Sequence, residues 1–231
     1  MPLSDRDYMR APPPQRVTRR ARINWSFGLN PVLVIIAVNV IIFIATVIVG
    51  KVIVVYDGVP LGTMYKLNYY LGLQPETFLE RPWTIITNMF VHAGFGHLFG
   101  NMITLFFFGR FLAKLVGDNK FLLVYLGGGI VGNIFYLLIG LWLDPLSIAV
   151  GASGAVYAIA GALVVMTPKL RVLLWFFVPM PLWVLVLVFF VIWSIPGLIP
   201  GIAWQAHLGG LISGIIAGFF LRGRMRYIII R

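Results

Sequence analysis

Residues 172–221 contain no Asp, Glu, Lys or Arg. An uncharged run of that length, in a chain of 231 residues that is 60% hydrophobic with a mean hydropathy of +0.96, does not fit a soluble domain. A helix satisfies its own backbone polar groups in lipid, and about 20 apolar residues carry it across the hydrocarbon core. The composition therefore points to a polytopic membrane protein.

The formal charge of +11 suggests a nucleic-acid partner until the charges are located. They fall at Arg6–Arg22, at Arg110, Lys114 and Lys120, at Lys169 and Arg171, and at Arg222–Arg231. Nucleic-acid binders gather charge on one face of a domain. Here the clusters punctuate apolar runs, as cytoplasmic anchors do, so no nucleic-acid partner is expected. The chain has no cysteine, which excludes disulfides and thiolate metal sites.

Six spans are expected, at about 31–50, 94–112, 121–143, 153–167, 181–195 and 202–221. With the N-terminus inside, 15 of the 18 Lys and Arg residues share one side, leaving Lys51, Lys66 and Arg81 outside. Only an even number of spans returns both termini to that side. Residues 1–30, with Pro12–Pro14 among arginines, read as a disordered basic cytoplasmic tail, and 222–231 as a second basic tail. An Arg-rich start before an apolar run also resembles a signal peptide, but no small-residue cleavage site follows and the run is too long. The membrane domain is then 31–221, with an exterior first loop at 56–93 packed on the bilayer surface. The expected setting is a plasma or inner cell membrane.

Polar residues in lipid are costly unless partnered, so those inside the spans are the candidate site. Ser153 opens the fourth span, His207 lies in the sixth, and His97 and Asn101 share one face of the second. Counting at about 1.5 Å per residue from the basic anchors, Ser153 lies roughly 24 Å above Lys169, His207 roughly 22 Å above Arg222, and Asn101 roughly 20 Å above Lys114. Three helices thus lift polar groups to similar heights. A serine needs a base to become a nucleophile at neutral pH, and His207 is the histidine at its level. No carboxylate lies within a span, so a Ser153–His207 dyad is the available form. Tyr157 lies one helical turn beyond Ser153 and packs beside the imidazole in this reading. Gly151 and Gly154 allow close backbone approach where the Ser153 amide opens its helix.

Each feature also has a purely structural reading. Gly-Ala-Ser-Gly, and Gly210 with Gly214 and Gly218, suit small-residue helix packing. His97 and Asn101 suit interhelical hydrogen bonding as well as stabilisation of an oxyanion. His92 reads as a loop-ordering residue, and Asn39 and Asn133 as helix–helix contacts. Asp118 falls in a basic interior loop. No His-Glu-x-x-His signature occurs, and no metal or organic cofactor is expected.

Taken together, His97-x-x-x-Asn101, Gly151-x-Ser153-Gly154 and Ala206-His207-x-x-Gly210, in that order and on those spans, resemble the rhomboid family of intramembrane serine proteases. The resemblance covers about 31–221. It implies an all-α, compact six-helix fold with both termini cytoplasmic and a water-filled cavity open to the exterior. It implies Ser153 as nucleophile and His207 as general base and then acid. His97, Asn101 and the Ser153 amide would stabilise the oxyanion, and Tyr157 would support His207. It implies transmembrane protein substrates, with the fifth helix and the loop at 196–202 as lateral gate and cap. Two positions depart from the family pattern: Trp83 is followed by Thr84 rather than arginine, and Gly100 replaces a bulky residue before Asn101. A catalytically silent rhomboid-like scaffold that binds membrane clients is the alternative reading. A transporter would need ionisable groups across both leaflets, and here they gather at one height.

Overall fold

The computed structural model describes residues 30–174, 177–194 and 201–224; both expected tails fall outside this set, apart from residue 30 and residues 222–224. Helix α1 (Pro31–Val49) begins where Asn30 accepts hydrogen bonds from the Val32 and Leu33 amides and Pro31 has no N–H to be satisfied. A continuous second helical run, Phe95–Val116, comprises α4 (Phe95–Thr104), a π-helical turn (Leu105–Gly109) and α5 (Arg110–Val116). Helix α6 (Asp118–Leu143) follows one residue later, because Gly117 adopts φ +89° and reverses the chain in a single step. Asp118 is therefore the first residue of α6 and not a loop residue. Its carboxylate complements the positive end of the helix dipole.

Helix α7 (Ser153–Met166) is the centre of the bundle, and ten of its 14 residues are buried. They are mostly Ala, Gly and Val, so neighbouring helices pack against its backbone. Helices α8 (Leu182–Ser194) and α9 (Trp204–Leu221) complete the set. All six expected spans fall on helices. Four of them, α1, the Phe95–Val116 run, α6 and α9, are long and apolar enough to cross a membrane, which makes the chain a multi-pass membrane protein. Helices α7 and α8 are shorter. Because α7 ends at Met166, Lys169 lies in the turn beyond it. Ser153 stands about 20 Å above that helix end, less than the sequence count to Lys169 suggested.

The chain is mostly helical but not purely so. Strands β1 (Lys51–Tyr56) and β2 (Val59–Tyr65) form an antiparallel hairpin directly after α1, turning at Asp57-Gly58 with both φ values positive. A second hairpin, β3 (Arg171–Leu174) with β4 (Val178–Pro181), joins α7 to α8. Neither shows clean alternation of apolar and polar residues. Val and Ile runs beside apolar helices read as more helix. Two short helices, α2 (Lys66–Leu71) and α3 (Thr84–Thr87), and a 3-10 turn (Asn88–Phe90) fill the rest of the first loop. Arg81 orders this loop despite the missing arginine at 84. It donates to the Tyr69 carbonyl at 3.2 Å and stacks 4.8 Å from the Tyr69 ring centroid.

The main core includes Leu105, Leu112, Phe121, Tyr125, Ile159 and Leu163, all buried where α7 meets its neighbours. A smaller cluster of Leu73, Tyr136, Leu137, Ala149 and Ala206 ties the first loop to α6 and the start of α9.

Candidate active site

Helices α7 and α9 meet backbone to backbone. Gly210 lies on the carbonyl of Gly154, Gly214 on that of Ala158 and Gly218 on that of Ala162, a match repeated every four residues along both helices. That seam places the first residue of α7 opposite the first turn of α9. Ser153 Oγ lies 2.8 Å from His207 Nε2. With the neutral ring protonated on Nδ1, the serine hydroxyl donates to Nε2, which is the pairing of a nucleophile with its base. His207 is buried and its Nδ1 has no protein partner among the described residues. No carboxylate fixes the ring by hydrogen bonding there.

The ring is held by stacking instead. Tyr157 lies face to face with it, centroids 4.6 Å apart and planes inclined at 28°. Phe190 of α8 meets Tyr157 edge-on at 6.1 Å. Helix α8 is thereby one aromatic ring removed from the imidazole.

The turn before Ser153 depends on Gly151, whose φ of +118° disfavours any side chain. A Cβ there would also lie 2.6 Å from His97 Cε1, so the His97 ring occupies that space. The turn leaves Ser153 as the first residue of α7, where the opening amides have no partner within the helix. The half-buried His97 ring therefore packs against this turn two residues before Ser153. Asn101 is buried and its Nδ2 donates to the His97 carbonyl at 2.9 Å, which commits one of its two hydrogens. Gly100 faces open space. Ser153, His207, His97, Tyr157, Gly151, Gly154 and Gly210 are thus brought together, with Asn101 one turn below His97. Two shallow grooves, one between α6 and α9 and one around Arg110, are not lined by Ser153, His97 or His207. The expected cap at 196–202 lies mostly outside the described residues.

His92 is fully buried, with its ring 5.1 Å from that of His97 and its Nε2 accepting from the Ala152 amide at 3.5 Å. Burial first, and the charge of His97 second, push its pKa down to about 3. A neutral ring is what the Ala152 contact requires. Asn39 donates to the Ile35 carbonyl of its own helix and lies beside the Tyr125 side chain of α6, as a helix–helix contact does. Asn133 differs from its expected role, because it bonds to the first loop and not to another spanning helix. Among the described residues no group of His, Asp and Glu side chains is arranged to hold a metal ion.

A family model described as the Rhomboid domain matches residues 79–224, which include every group named in this site. RHOMBOID-like protein 12, mitochondrial, of Arabidopsis thaliana is 35% identical over 162 residues, covering 62% of this chain and 48% of that protein. Rhomboid protein 1, mitochondrial, of Saccharomyces cerevisiae is 32% identical over 167 residues, covering 67% and 46% respectively. Rhomboid protease GluP of Bacillus subtilis is 29% identical over 135 residues, covering 58% and 25%. The chain spans about half the length, or less, of these relatives.

Proposed function

This chain belongs to the rhomboid family, and on that premise we propose that it is an intramembrane serine endopeptidase that cleaves transmembrane segments of other membrane proteins. The observation that carries the reading is the 2.8 Å approach of Ser153 Oγ to His207 Nε2 between two apolar helices. Ser153 Oγ attacks the scissile carbonyl carbon while its proton passes to His207 Nε2. The carbonyl oxygen becomes an oxyanion, which the Ser153 amide, His97 and Asn101 stabilise. The peptide C–N bond breaks as His207 returns the proton to the leaving amine. Water, activated by the same ring, then hydrolyses the acyl-enzyme. Tyr157 keeps the imidazole in line in place of a carboxylate.

In this reading α7 and α8 also span, giving six helices with both termini cytoplasmic, and water reaches the half-exposed Ser153 from the exterior. The side bias of the basic residues supports that orientation and a plasma or inner cell membrane as host. Two of the relatives carry mitochondrial names, so targeting to that organelle is the competing location. The deciding experiment treats the reconstituted chain with a fluorophosphonate and a model transmembrane substrate. Labelling and cleavage by wild type but by neither Ser153→Ala nor His207→Ala are expected. A wild type that folds, does not label and still binds membrane clients would be the silent scaffold.

A further inference from the structure

Asn133 sits in the middle of α6 and is buried, as is Asn88 in the first loop. Their amides pair reciprocally: Asn88 Nδ2 donates to Asn133 Oδ1 at 3.0 Å, and Asn133 Nδ2 donates to Asn88 Oδ1 at 2.8 Å. Asn133 Nδ2 also donates to the Ile85 carbonyl at 2.7 Å. One turn earlier on the same helix, Gly129 leaves room for the side chain of Met89. The segment 85–90 is therefore seated on α6 by an amide pair and a packed methionine. The backbone carbonyl of Asn88 in turn accepts the Gly151 amide at 2.8 Å. Gly151 is gripped from the other side by the His97 ring, two residues before Ser153.

We infer that the Asn88–Asn133 pair is a positioning device that fixes the Gly151 turn, and through it the Ser153 hydroxyl and amide. Its kinetic consequence rests on the protease reading above; its structural consequence does not. Two amides are used because a reciprocal pair has one orientation, whereas apolar packing tolerates sliding. A slip of about 1 Å in such a turn costs about 10²-fold in rate.

The test uses the full chain in proteoliposomes. Asn133→Leu is expected to raise hydrogen exchange in the peptide containing Gly151 and to slow fluorophosphonate labelling by about 10²-fold. Replacing both partners, Asn88→Leu with Asn133→Leu, removes the unpaired amide, so thermal stability is expected to recover towards wild type. Labelling and kcat should stay low with KM unchanged. Recovery of labelling together with stability would make the pair a structural contact only and overturn the inference. If the double variant does not fold, Asn133→Asp keeps the shape. Its labelling should fall, relative to wild type, as the new carboxyl ionises and can no longer donate; a pH profile matching wild type overturns the inference. Unchanged exchange at Gly151 in the single variant also overturns it, even if the enzyme is active. A wild type that does not label defeats the protease reading, and the exchange result then judges the pair by itself.

Discussion

The Cα of Gly210 rests against the carbonyl oxygen of Gly154 with no space between them for a methyl group. Ser153 precedes that carbonyl by one residue, and His207 precedes Gly210 by one turn. The approach of two backbones therefore sets the distance between a hydroxyl and an imidazole that no covalent or ionic link joins.

Gly210→Ala is accordingly expected to spread α7 from α9 and to abolish detectable fluorophosphonate labelling, with a stability loss of about 1–3 kcal/mol from overpacking. Gly127→Ala, on the open side of α6 where an added Cβ meets nothing within 4 Å, should leave labelling unchanged. Equal effects of the two substitutions on labelling and melting temperature would remove the seam from this account.

Tyr157 acts through its ring. Tyr157→Phe should retain most of the turnover, because the 4.6 Å stack on His207 survives without the hydroxyl. Tyr157→Leu should lower kcat by about 2–10-fold, the equivalent of about 0.5–1.5 kcal/mol of lost stacking. A Phe variant as impaired as the Leu variant would shift the role to the hydroxyl.

Asn101→Ala is expected to reduce kcat by up to about 10²–10³-fold with little change in KM, as loss of an oxyanion donor does. The bond already made to the His97 carbonyl means that only one amide hydrogen is available for that task. Undiminished turnover would leave Asn101 as a brace for His97.

His92 predicts how stability depends on pH. Its folded pKa of about 3 lies below the ordinary 6.5, so the unfolded state binds more protons between those values. The contribution of the neutral ring is complete above about 6.5 and is lost progressively as pH falls towards 3. Melting temperature measured from pH 7 to pH 4 should fall less steeply in His92→Asn than in wild type. Parallel slopes would show that the Ala152 contact does not depend on a neutral ring.

Much of this molecule is legible in one dimension. The positions of six apolar helices, the grouping of basic residues and the similar depth of the polar residues on the second, fourth and sixth spans follow from hydropathy and spacing, and the three motifs are read from the family resemblance. Lipid imposes those constraints locally, residue by residue. Asn30-Pro31 marks the start of α1 for the same reason, since caps and proline act on their own backbone. The shortness of α7 was legible too, since the expected span at 153–167 ends within one residue of Met166. The two hairpins were hidden because their Val-rich strands sit beside apolar helices and lack an alternating face. The partnership of Asn133 with Asn88, 45 residues away, was equally out of reach. A buried amide announces only that it needs a partner, and tertiary packing alone determines which one it finds. The same holds at the centre of the site. Sequence order put Ser153 and His207 on different helices at similar depth, and only the glycine seam, a match of two surfaces, decided that they meet.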